Sequence, residues 1–198
     1  MKSANIREKI RGNPRFPKIL SNTPQMTNDY FPAIIGGTYY HNEKDWAMTR
    51  ATKSLSPGSV KYIILHCSGT RSDRRYTAAD CERDHISRGF ICGGYHLYVE
   101  QDGRVTQMRP FTQVGAHCRP WNSCSVGICY EGGLDGRGLY ANTMTPAQRD
   151  VILSYLIELL VMFPEAKVRG HRDMPGAAKK ACPCLDVREE FPELEDFM

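Results

Sequence analysis

Lys61-Tyr62-Ile63-Ile64-Leu65-His66-Cys67-Ser68 carries the sharpest structural signal in the chain. Four apolar residues in a row, Tyr62 to Leu65, leave neither face for water. That is the pattern of a central strand covered on both sides. The run stops at His66, so an imidazole stands where a buried strand gives out.

Downstream the signals alternate. Thr77 is placed to cap a helix that runs to about Arg88, before Gly89. Gly93 to Met108 reads as a β-hairpin, with Tyr95–Glu100 and Arg104–Met108 as arms and Gln101-Asp102-Gly103 as the turn. Ser125–Tyr130 is another strand, leaving through Gly132-Gly133. Thr145-Pro146-Ala147-Gln148 is a capping box with proline at the first helical position. Val151, Ile152, Tyr155, Leu156, Leu159 and Leu160 then recur at helical spacing up to Pro164. Ala166–Gly170 is a short strand that ends at His171, and Asp186 can cap a last helix. The pattern predicts an α/β fold: one domain with a mixed central sheet flanked by helices.

Upstream the character changes. Residues 1–56 hold nine Lys/Arg against four Asp/Glu, whereas the remainder holds 17 against 18. They lack cysteine and carry turn formers such as Asn13-Pro14, Thr23-Pro24 and Gly36-Gly37. We expect a basic N-terminal extension over 1–56, with a short helix near Ile6–Ile10, ahead of a domain over 57–198. Such an arm attracts an anionic partner (nucleic acid, anionic lipid or wall polymer), or it is a solvated extension with no partner.

The 198 residues suffice for one well-buried core. Apolar residues at 41% and charged residues at 24% exclude a disordered or fibrous chain. The longest apolar stretch, Val151 to Phe163, is interrupted by Ser154 and Glu158 and is too short to span a bilayer. The first 30 residues show no apolar leader core. The expectation is a monomer made in the cytoplasm with no signal peptide and no transmembrane segment, its eight cysteines mostly reduced.

Three residues suggest chemistry together. His66 and His171 each end a strand, and Cys182 lies in Lys180-Ala181-Cys182-Pro183. Two imidazoles and a thiolate suit zinc, and three protein ligands leave a fourth position open, as catalytic sites require. Spacing alone does not bring them together.

The stretch from Tyr62 to Phe191 resembles the zinc amidases of the phage amidase-type lysozymes and peptidoglycan recognition proteins. Four blocks carry the resemblance, in the family's order. They are Ile64-Leu65-His66-Cys67-Ser68; Gly94-Tyr95-His96-Leu97; Val114-Gly115-Ala116-His117 with Asn122 and Ser125-Val126-Gly127-Ile128; and Gly170-His171-Arg172-Asp173 with Lys180-Ala181-Cys182-Pro183. Residues 1–56 lie outside it. The resemblance implies an N-acetylmuramoyl-L-alanine amidase that acts on bacterial peptidoglycan in the cell wall through zinc-activated water. It implies His66, His171 and Cys182 as Zn2+ ligands, with Tyr95 and Lys180 flanking the attacked carbonyl.

Other readings stand beside this one. Tyr95 also reads as a core residue on one face with Leu97 and Val99. His96 reads as packed, pointing away from Tyr95. His117 reads either as a substrate-binding residue with Asn122 or as a hydrogen-bonding loop residue. Glu131 is a spare carboxylate for a general base, and neither His41 nor His85 has a role. Cys184 departs from the family, where a small hydroxyl residue or glycine is expected, and reads as a small buried side chain. The rival functions are a peptidoglycan-binding module without catalysis and a polymerase- or nucleic-acid-interacting protein using the basic arm.

Overall fold

In the computed structural model, which describes residues 53–177 and 181–198, the stretch read as a central strand lies at the heart of a sheet. The strands are β1 (Tyr62–Cys67), β2 (Thr70–Arg71), β3 (Leu97–Val99), β4 (Val105–Gln107), β5 (Ser125–Tyr130), β6 (Gly133–Leu134) and β7 (Lys167–Gly170). The helices are α1 (Ala78–Ser87), α2 (Pro146–Met162) and α3 (Val187–Glu190). Every residue of β1 after Tyr62 is buried. The main sheet has the order β4-β3-β5-β1-β7, so β1 is flanked on both edges. It pairs in parallel with β5 and with β7, β3 is parallel to β5, and β4 returns antiparallel to β3. This is the mixed α/β sheet that the sequence predicted. The helix expected near Ile6–Ile10 and His41 fall outside the described residues.

The two faces of β1 serve different ends. Ile63 and Leu65 join the main core with Ile152, Leu156, Leu159 and Leu160 of α2. Ile64 packs on the other side, with Cys118 and Met174. By strand alternation His66 shares the side of Ile64, away from α2. Burial on α2 extends beyond the predicted stripe to Leu153, Ile157 and Glu158. The chain's end adds Phe191 and Leu194 to the same core. Arg149 holds that end by donating to the Glu190 carbonyl at 2.8 Å and to Glu193 at 2.8 Å. Residues 53–55 are also tied in: Leu55 is 1% exposed, and its N–H donates to the Thr112 carbonyl at 2.7 Å.

The predicted capping box forms at Thr145 with Gln148, and the predicted cap at Thr77 is itself completed into a box by Asp80. Gln148 does more than cap. Its buried Nε2 donates to the carbonyls of Val99 (3.1 Å) and Glu131 (3.0 Å), pinning the start of α2 to the ends of β3 and β5. Asp186 caps α3 through Arg188 N at 2.8 Å.

The hairpin is shorter than predicted. The carbonyl of His96 accepts from both Met108 N (2.9 Å) and Arg109 N (3.4 Å), which breaks the ladder before Leu97. Alternation is lost there. Tyr95 therefore leaves the face of Leu97 and Val99 and packs near Ala78, Cys81, Tyr98 and Cys129. A second, two-stranded sheet, outside the sequence expectation, pairs β2 with β6 in parallel.

Two buried histidines act as fixed hydrogen-bonding struts. His96 accepts from Gly127 N at Nδ1 (2.9 Å) and donates from Nε2 to the Gln113 carbonyl (2.9 Å). His85 accepts from Gly94 N at Nδ1 (2.9 Å). Burial holds both imidazoles down to about 4, so they are neutral near pH 7.

Two predictions follow from these struts and caps. Replacing Gln148 by Ala removes the reciprocal cap and a donor shared by two carbonyls. A loss of about 2–4 kcal/mol is expected, measured by urea unfolding of the metal-free protein, and a loss within about 0.5 kcal/mol would contradict the pinning role. The second concerns acid. An unfolded imidazole takes up its proton near 6.5, whereas His85 and His96 resist protonation down to about 4. The unfolded chain thus binds more protons in that window, and their contribution to stability is present above pH 6.5 and drains away as pH falls toward 4. Unfolding midpoints across pH 4–7 should show this fall, and its slope should be shallower in His96→Asn.

Candidate metal centre and cleft

Parallel register assembles the centre. Leu65 pairs with Gly170, so the residues that follow, His66 on β1 and His171 just past the end of β7, emerge side by side. Their ring centroids are 4.6 Å apart. They stand at the carboxyl ends of neighbouring parallel strands, where open α/β sheets place their sites. Cys182 reaches the same point from the loop before α3. Its Sγ lies 3.7 Å from His66 Nδ1 and accepts from Cys67 N at 3.3 Å.

One donor atom from each of His66, His171 and Cys182 lies within 4.8 Å of the others, a cluster that could hold a metal ion. Zinc bonds of ~2.1 Å to nitrogen and ~2.3 Å to sulfur at a tetrahedral angle put the two donors about 3.6 Å apart. The observed Sγ–Nδ1 distance already matches that edge. Both histidines are buried, while Cys182 is half-buried and borders a cleft.

The cleft has a volume of about 730 Å3. His171, Cys182, Tyr95 and His117 line its inner part, and Leu139 and Tyr140 its rim. No carboxylate lines it among the described residues. Glu131 is no spare base: it is buried, and its oxygens accept from Tyr76 N and Gln101 N. The Tyr95 ring stands 5.1 Å from that of His66. Burial, reinforced by the Cys129, Cys182 and Cys81 thiols, holds its phenol well above the usual range. At neutral pH Tyr95 is therefore an O–H donor, not a phenolate.

His117 and Asn122 belong to the turn that enters β5. The Nδ1 of His117 is 3.0 Å from His66 Nε2, and its Nε2 is 3.4 Å from Ser125 Oγ. Burial keeps this imidazole well below its usual range, and hence neutral. Asn122 is not among the cleft-lining residues; its Oδ1 accepts from His117 N (2.9 Å) and Cys118 N (2.7 Å). Lys180 lies outside the described residues, although its neighbour Ala181 lines the cleft.

Sequence reasoning gave His85 no role, yet its ring lies 5.3 Å from that of Tyr95 and lines the cleft. A helical histidine offers no signal for this beyond its position before Gly89. Cys184 contacts Cys67, Sγ to Sγ at 3.6 Å; that contact and burial push the Cys184 thiol up, while the hydrogen bond with Cys182 and burial push Cys67 up to about 12. They stay protonated beside Cys182 and do not compete as thiolates. All eight cysteines are free.

Comparison with known proteins agrees with this geometry. The family profile described as N-acetylmuramoyl-L-alanine amidase matches residues 56–184. The endolysin of Klebsiella phage KP32 is 36% identical over 133 residues, covering 67% of this chain and 86% of that protein. The endolysin of Escherichia phage T7 is 33% identical over 137 residues, covering 69% and 89%. Among solved structures, Drosophila PGRP-LB shares the fold, with a TM-score of 0.61 at 22% identity over 75% of this chain and 88% of that one. With its ligand cluster, its cleft and a matching profile over most of its length, this chain belongs to the N-acetylmuramoyl-L-alanine amidase family.

Proposed function

We propose that this peptidoglycan amidase cleaves the amide between the lactyl group of N-acetylmuramic acid and L-alanine, using a zinc ion held by His66, His171 and Cys182. The observation that carries the reading is the convergence of those three side chains at a cleft lined by Tyr95. Two neutral imidazoles and a thiolate with one position left open form a hydrolytic zinc donor set. When bound, the ion supplies a Lewis acid and a strongly acidified water near neutral pH.

The chain's own groups do the rest. Tyr95, kept protonated, donates its O–H to the oxygen of the attacked carbonyl as charge builds there. Lys180, two residues before Cys182, is assigned to the same oxygen by its place in the motif. His117 walls the cleft, and Asn122 holds the turn that carries it. Leu139 and Tyr140, 56% and 74% exposed, give the cleft an apolar lip against which a sugar or peptide can lie. A monomer is taken as the working unit.

The domain is taken as 57–198 with 1–56 as an extension. The anionic partner expected for that extension rests on its charge. No helix among the described residues is long and apolar enough to cross a membrane.

The decisive comparison is zinc content and activity on purified peptidoglycan, wild type beside Cys182→Ala. Wild type should hold about one zinc per chain and release new alanine amino termini; the variant should lose both. Zinc without turnover in wild type would point to a binding module instead. Tyr95→Phe should keep its zinc and lose about 100- to 1000-fold in kcat. A change confined to KM would remove Tyr95 from the chemistry.

A further inference from the structure

The two nitrogens of His66 face opposite ways. Nδ1 looks toward Cys182 Sγ and Nε2 toward His117 Nδ1, 3.0 Å away. A ligand nitrogen must offer its lone pair, so a His66 that binds metal through Nδ1 carries its proton on Nε2. That proton is donated to His117 Nδ1, which places the proton of His117 on its own Nε2. There it faces Ser125 Oγ at 3.4 Å, and the Ser125 hydroxyl in turn donates to the Trp121 carbonyl at 2.8 Å. Every donor meets an acceptor, and the line ends on an oxygen that can only accept.

The surroundings are shaped for this ring. A Cβ at Gly127 would stand 2.7 Å from the His117 ring, and one at Gly115 would stand 2.5 Å from it. Both backbones can therefore close on the imidazole only as glycine. Asn122 clamps the peptide N–H groups at His117 and Cys118. The His96 ring meets that of His117 edge-on at 5.7 Å, with both its own nitrogens already engaged. A histidine meant to bind substrate would keep a nitrogen for it, and both of His117's have protein partners.

We propose that His117 is a positioning residue for the metal centre: it fixes the tautomer and ring plane of His66 through a relay from His66 to His117, Ser125 and the Trp121 carbonyl. This rests on the zinc reading given above. Partners behind a metal-bound histidine commonly govern metal affinity in this way.

The test compares His117→Ala and His117→Asn with wild type. Asn is chosen because its Oδ1 falls near the place of Nδ1 and can still accept from His66. Zinc affinity is measured by competition with a chromophoric chelator, and ligand geometry by the absorption bands of the cobalt-substituted protein. His117→Ala should weaken zinc binding by about 10- to 100-fold and shift the cobalt bands, and His117→Asn should recover most of both. Normal zinc affinity in His117→Ala with only KM raised would overturn the proposal in favour of substrate binding. Equal losses in Ala and Asn would reduce His117 to packing. If His117→Ala does not fold, Ser125→Ala breaks the relay one step further out and should shift the same bands. A wild type that takes up no zinc would instead overturn the metal reading itself, and this assignment with it.

Discussion

The parallel pairing of β1 with β7 is the constraint on which the site depends. Its register sets Leu65 against Gly170 and so brings out His66 beside His171. A slip of one residue would turn His66 to the face covered by α2, because side chains alternate along a strand. The register is secured by burial. Ile63 and Leu65 must face α2, and Ile64 must face Cys118 and Met174. The apolar run that makes β1 central thus also aims the imidazole at its end.

Around the histidine–cysteine cluster lies a set of neutral polar groups bonded to the backbone. His85, His96 and Gln148 each satisfy backbone groups that the surrounding strands and turns leave open. Buried polar groups of this kind stabilise only when their partners are in place. They tie the cleft wall, the hairpin and the start of α2 into one unit. The precision of the cluster therefore comes from the sheet and its struts, while Cys182 arrives from the loop before α3. Cys67 reinforces that arrival, since its backbone N–H donates to the Cys182 sulfur while its side chain packs in the core.

The cleft combines a polar floor with an apolar lip. The floor holds histidines, thiols and a tyrosine, and no carboxylate among the described residues. Charge developing on a substrate oxygen would there meet hydrogen-bond donors, with no carboxylate among the described lining residues to oppose it. The one carboxylate that the sequence offered, Glu131, is consumed by backbone amides at Tyr76 and Gln101. Its role is to hold the chain before α1.

The sequence by itself determined the central strand, the caps at Thr77, Thr145 and Asp186, and the three side chains that cluster where a metal ion could be held, because these are read locally: unbroken apolar character, cap chemistry at fixed offsets, and motif blocks in family order. What it misjudged or left open depends on contacts between distant segments. Alternation gives Tyr95 the strand face of Leu97 and Val99, but a doubly accepting carbonyl at His96 ends the ladder first. Glu131 looked available until Tyr76 and Gln101 were folded against it. His117 could be either a substrate contact or a loop residue on paper, and only the fold puts its Nδ1 against His66 in a gap left by two glycines. Local propensity is written residue by residue, whereas which nitrogen meets which acceptor is decided only when strands far apart in the chain take up their register.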